Sequence, residues 1–136
     1  MRHAFLLLMW ILMVCALTAC AAERQTNSCP PALTLGDKTD WEMGTAAYRA
    51  RQEGGMVTIT ANGRNRSGGF KVQLAREPMK IFPPKFALYQ KRPEGMATQA
   101  ITPFTLCVSF KASQGVGAVM VRDNNGEHRV PVETAP

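Results

Sequence analysis

The sequence predicts a mainly β domain, a small β-sandwich or open barrel of about six or seven short strands, with one short N-terminal helix as an optional addition. Two observations predict it. Apolar and polar residues alternate with a period of two in successive runs after residue 55. Those runs are short and are separated by Gly, Pro and Asn-Gly turn signals.

In chain order, the candidate helix comes first. Thr39 or Asp40 would cap it, Glu42 would suit its first turn, Arg49 and Arg51 its last, and Gly54-Gly55 would stop it. Gly44 and Thr45 weaken that helix. Val57, Ile59 and Ala61 then alternate with Thr58 and Thr60 in a first strand, ended by a turn at Asn62-Gly63. Phe70, Val72 and Leu74 alternate with Lys71 and Gln73 in a second, which has one wet face. Pro78, Pro83 and Pro84 limit pairing from 77 to 84. Phe86 to Gln90 is a third strand, followed by a turn at Pro93-Glu94-Gly95. Ala97 to Ile101 is a short fourth, stopped by Pro103. Phe104, Leu106, Val108 and Phe110 share one face of a fifth, with Cys107 on the other, so a disulfide there would strap the N-terminal segment over the sheet's other side. Val116 to Arg122 and Glu127 to Val132 flank Asp123-Asn124-Asn125-Gly126, a hairpin signal, and Pro131 marks the last strand as an edge.

Ahead of this domain the chain begins Met1-Arg2-His3, and an unbroken apolar run follows from Phe5 to Leu17. That run is shorter than the roughly 20 residues of a spanning helix. It fits the apolar centre of a secretory signal, about 7–15 residues long. Leu17-Thr18-Ala19-Cys20 then resembles the lipobox of bacterial lipoproteins. The resemblance implies cleavage before Cys20, lipidation of its thiol and acylation of the new amine. An ordinary secretory signal with a chance cysteine is the alternative. Ala21, where an aspartate would suggest inner-membrane retention, favours the outer membrane in such proteins. Three acyl chains exceed the roughly two anchors that stable attachment requires. The expected organisation is a signal over 1–19, a lipidated tether over 20–36, its free part ending at 28 if Cys29 is bonded to Cys107, and a single domain over 37–136.

Of the four cysteines, Cys15 leaves with the signal and Cys20 carries lipid. In an oxidising envelope the remaining two, Cys29 and Cys107, read as one disulfide, or otherwise as separate thiols. One histidine, His128, follows the leader. With two distant cysteines it does not make a zinc site, which needs about four clustered ligands. No cofactor is expected. Without the leader the chain keeps 15 Lys+Arg against 10 Asp+Glu. The excess is local: from Arg64 to Arg92 there are eight basic residues and one acidic, Glu77. This stretch reads as a solvated face, or as a patch for an acidic partner or anionic headgroups. Nucleic acid is not an expected partner, given the extracytoplasmic address that the lipobox-like run implies.

Asn65-Arg66-Ser67-Gly68-Gly69-Phe70 enters a strand through paired glycines, which permit positive φ or close backbone approach. Read physically, this is a glycine turn before a strand. The run Ser67 to Val72, followed after a proline-broken stretch by Met96 to Phe104, also resembles the C-terminal domain of protease-complex subunit PrcB proteins. Ser67 stands where that family has Thr, Phe70 where it has Tyr, and the second element lacks or shifts one residue. The likeness spans roughly residues 55–112. It implies a secreted or lipid-anchored, non-enzymatic domain that binds and supports a partner protease, and it supplies no catalytic residues. More loosely, Asn65 to Phe70 and Gly115-Val116-Gly117 resemble the loops of chagasin-type cysteine-peptidase inhibitors, without their proline and threonines. A lysozyme inhibitor is a third class, with less support because lysozymes are usually basic and so is this domain.

Catalysis has little to stand on. Ser67 is not in the Gly-x-Ser-x-Gly of a nucleophile elbow. His128 lies between Glu127 and Arg129 beside a hairpin and reads as solvated. No spacing brings a carboxylate pair together. The expectation is therefore a lipid-anchored protein-binding module with a protein partner, in one form a protease. Its interaction edge would be Arg64, Arg66, Ser67, Gly68, Gly69 and Phe70 with Thr102, Pro103 and Phe104, and Arg64, Arg66 and Lys71 would set charge preference.

Overall fold

The computed structural model describes residues 28–135. The signal segment, Cys20 and the first part of the tether lie outside the described residues. The domain is mainly β, as expected, with eight strands: β1 (Glu42–Met43), β2 (Ala46–Glu53), β3 (Met56–Asn65), β4 (Lys71–Arg76), β5 (Lys85–Lys91), β6 (Thr102–Lys111), β7 (Ala118–Asp123) and β8 (Gly126–Thr134). They form one curled, open sheet in the order β1-β5-β7-β8-β2-β3-β6, with β4 on the other edge of β5. The β2–β8 and β5–β7 pairs are parallel, and the other strand pairs are antiparallel.

Period-two patterning sets the core. Val57, Ile59 and Ala61 of β3 are fully buried. On β6 the stripe Phe104, Leu106, Val108 and Phe110 packs into the same cluster. The curl brings β5 and β6 face to face although they are far apart in the strand order. The Phe86 and Phe110 rings stand 5.3 Å apart, tilted by 38°. Each fully buried aliphatic or aromatic side chain contributes about 1.5–3 kcal/mol relative to exposure.

β5 is apolar on both faces because both are covered. Phe86 and Leu88 face the interior cluster, whereas Ala87 and Tyr89 face outward under Leu35, Trp41 and Met43. The expected helix over 39–51 is therefore absent. The chain turns at Thr39-Asp40, lays Trp41 and Met43 on β5, and enters β2. Along β2, Ala46, Tyr48, Ala50 and Gln52 are the more buried set, alternating with exposed Ala47, Arg49, Arg51 and Glu53. That is a strand period, and Gly54-Gly55 closes a two-residue hairpin between Glu53 and Met56.

Three further expectations are corrected. Asn62-Gly63 is not a turn, since β3 runs on to Asn65. A Cβ on Gly63 would collide with the Phe104 ring and lie 2.6 Å from the Thr45 carbonyl oxygen, so the glycine serves close approach. Ala97 to Ile101 is not a strand, and Pro103 does not stop one. Pro103 sits inside β6, which ends the sheet path and tolerates a missing donor. Nor is β8 an edge, because it lies between β7 and β2. Pro131 escapes the cost because the ladder with β2 begins one residue later, at Val132.

The Cys29–Cys107 disulfide is formed, with Cα atoms 5.3 Å apart. The segment it holds runs along the β6 edge instead of across the sheet's outer face. The Ser109 amide donates to the Pro30 carbonyl and the Ala32 amide to the Ser109 carbonyl, both at 2.8 Å. One residue on, the Arg76 amide of β4 donates to the Leu33 carbonyl at 2.9 Å. Residues 30–33 thus bridge β6 and β4, the two strands whose outer edges the curl leaves open. Of the expected tether, residues from Cys29 onward belong to the domain: Ala32 packs on the main cluster and Leu35 on the outer one.

Candidate functional site

The two segments expected to form the interaction edge do adjoin. Antiparallel register on β3 and β6 sets Gly63 against Phe104, Arg64 against Pro103 and Asn65 against Thr102. The loop 66–70 after β3 and the loop 92–101 after β5 therefore share one end of the curled sheet, together with β1 and the Asn124-Asn125 turn. The Gly68 amide donates to the Thr98 carbonyl at 3.2 Å. A Cβ on Gly68 would lie 2.7 Å from the Thr98 hydroxyl oxygen. Gly69 has φ +79° and sits against Pro93. The paired glycines thus supply both the close approach and the left-handed backbone that the sequence suggested.

The expected residues present themselves unequally. Arg64, Arg66, Gly69 and Pro103 are exposed, while Ser67, Gly68, Phe70, Thr102 and Phe104 are partly buried. Phe104 lies over Gly63 and against the core, so it supports the edge from beneath. The Thr102 hydroxyl donates to the Ala100 carbonyl at 3.0 Å and fixes the entry into β6. Met96 and Ile101 of the neighbouring loop are exposed apolar side chains.

Behind the loop is a cavity of about 410 Å³, lined among others by Glu42, Thr45, Asn65, Arg66, Phe70 and Gln90. A second hollow of about 260 Å³ shares Glu42, Arg66 and Phe70 and extends to Arg92 and Pro93. Glu42 is committed: Arg92 donates to its Oε2 through Nε at 3.2 Å and Nη2 at 3.0 Å, and Gln90 donates to its Oε1 at 3.0 Å. The Arg92 hydrogen bonds, against some burial, hold the Glu42 carboxyl below its ordinary range. Among the described residues, no carboxylate lies within 4.0 Å of Arg64, Arg66 or Lys71. Asn65 is only 7% exposed, and its buried Oδ1 has no hydrogen-bond partner among the described residues. An unsatisfied buried polar group costs about 1–3 kcal/mol.

The roles of Glu42, Asn65, Gln90 and Arg92 escaped the sequence reading. Asn65 gave a faint signal as a polar residue on the inward phase of Val57, Ile59 and Ala61. The other three depend on β1 pairing with β5, Glu42 opposite Gln90, across 48 residues of chain.

His128 is not simply solvated. Its Nε2 lies 2.8 Å from Oδ1 of Asp123, whose other oxygen accepts from the Tyr48 hydroxyl at 2.9 Å. The Asn125 amide also donates to Asp123, at 2.8 Å. Burial pushes the Asp123 carboxyl up, but the bonds from His128, Tyr48 and Asn125 outweigh it and hold it below its ordinary value. The same burial, with Asp123 alongside, pushes the Tyr48 phenol up. This cluster pins the β7–β8 turn to β2. Among the described residues, no three His, Cys, Asp or Glu side chains gather as a metal site. Among them, too, no helix is long and apolar enough to cross a membrane.

Comparison with family models, curated proteins and solved structures returned no match.

Proposed function

We propose that this chain is a lipid-anchored protein of the bacterial envelope whose β domain binds another protein, as a protease-accessory or related non-enzymatic module. The observation that carries this reading is the convergence of the two motif segments on one end of the sheet, where Arg64, Arg66 and Lys71 have no carboxylate within 4.0 Å among the described residues. Rim cations of this kind steer encounter and select acidic partners. Exposed Met96 and Ile101 add apolar contact area beside them. The PrcB-like elements and the lipobox-like run at 17–20 support the same reading from sequence.

The test is crosslinking in intact cells followed by affinity capture. The double variant Arg64→Glu, Arg66→Glu should capture at least about tenfold less partner, because reversed rim charges repel what the originals attract. Capture unchanged by the double variant removes this edge from the site. Labelled palmitate should enter the wild type and not Cys20→Ser, and equal labelling of the two would end the lipid-anchor part of the reading. A domain that instead slows a papain-like peptidase at near-stoichiometric ratios would be an inhibitor.

A further inference from the structure

We propose that the cleft behind the 66–70 loop takes the free carboxyl end of a polypeptide, and this deepens and rests on the protein-binding reading above. Three features point to that ligand. Asn65 is more than nine-tenths buried and lines the cleft, and its Oδ1, sealed from solvent, has no partner among the described residues. A half-turn about χ2 exchanges the two ends of an Asn amide, so either one can face the opening while the other takes the sealed position. Arg66 lines both hollows and has no carboxylate within 4.0 Å among the described residues; the one acid on the same wall, Glu42, feels the Arg66 charge at longer range and is hydrogen-bonded by Arg92 and Gln90. Phe70, partly buried, offers an apolar wall common to both hollows.

A ligand that answers all three must carry an anionic fork for a guanidinium, an amide for the asparagine, and a nonpolar group for the phenyl ring. The last residue of a polypeptide has these on adjoining atoms. Its carboxylate pairs bidentately with an arginine fork. The amide N–H of the same residue and the carbonyl before it offer a donor and an acceptor to whichever end of the Asn65 amide faces the cleft, and its side chain lies against Phe70. A bare inorganic anion meets one of the three requirements and a fatty acid two. The size also fits. Cavities of about 300–1,000 Å³ enclose whole small ligands; one hollow, about 410 Å³, falls in that range and the other, about 260 Å³, just below it, so they take one or two residues and leave the rest of the partner outside.

The experiment uses the full chain in detergent micelles with two probes, N-acetyl-Gly-Leu with a free carboxylate and the same compound as its C-terminal amide. Side-chain N–H resonances of Asn65 and Arg66 are followed by NMR during titration. The free acid should shift both with a dissociation constant in the range of about 1 mM. The amide should bind at least about tenfold more weakly, because the charge-assisted pair is lost. Arg66→Gln, an exposed loop change, should keep the wild-type backbone spectrum and lose the preference for the acid. Asn65→Ser then tests the amide contact wherever it folds. Equal binding of acid and amide, equal shifts with acetate alone, or shifts confined to other residues would overturn the proposal. Partner capture that depends on Arg64 and Arg66 while the acid leaves Asn65 and Arg66 unmoved would overturn this inference alone. Shifts at both residues from the acid, with no protein captured in cells, would support the cleft while removing the protein-binding reading.

Discussion

Gly63 carries more consequence than its position within a strand suggests. The Phe104 ring and the Thr45 carbonyl occupy the space a side chain would fill. Gly63→Ala should therefore cost about 1–3 kcal/mol through forced repacking, measured by urea unfolding. A loss below a few tenths would mean that β3 and β6 separate easily at that end. Asp123 is the second residue with a sharp expectation. Its folded-state carboxyl titrates below its ordinary value of 3.8. A depressed carboxyl stabilises the fold fully above its unfolded value, and that contribution is lost as pH falls through the folded value. Stability should accordingly decline as the pH drops below about 4. Asp123→Asn should lower stability near neutrality and flatten that acid decline. Parallel acid profiles of wild type and variant would show that the Tyr48–Asp123–His128 cluster does not contribute.

At the scale of elements, the strands that alternate cleanly were readable. β3 and β6 each show the period in their own residues, and their partners add nothing the eye needs. The Asn124-Asn125 turn between β7 and β8 was legible for the same reason, with Gly126 at φ +119° as the sequence signal implied. β2 was misread because three of its residues are Ala and two are Arg, good helix formers that mask an alternation in which Tyr48 and Gln52 face inward. Tertiary pairing on both edges, with β3 and β8, overrides that propensity. The prolines misled in both directions. Pro103 suggests a stop and is inside a strand, while Pro131 suggests an edge and is inside the sheet. What decides each is the strand order, which the sequence does not contain. Half of the candidate site was legible as local motifs. The acid–amide–guanidinium group around Glu42 was not, since it exists only when β1 and β5 are in register.

For the whole molecule, the disulfide is the most consequential link. It joins residues 78 apart in sequence, for which chain-entropy reasoning gives about 4 kcal/mol. The double variant Cys29→Ser, Cys107→Ser should lose about 2–4 kcal/mol by urea unfolding. Hydrogen exchange should accelerate first at Ser109, Ala32 and Arg76, whose amides make the bridging bonds between β6 and β4. Uniform acceleration over all strands would instead mean that the bridge and the rest of the sheet open together.

That link also governs how the domain bears mechanical load. Tension applied through the chain ahead of residue 28 enters the fold at Cys29 and passes straight into the middle of β6. A covalent bond meets it there, before any backbone hydrogen bond has to. Residues 30–33 are thereby shielded from being unzipped. A domain pulled from that side should hold until β6 shears from β3 along its ten paired residues.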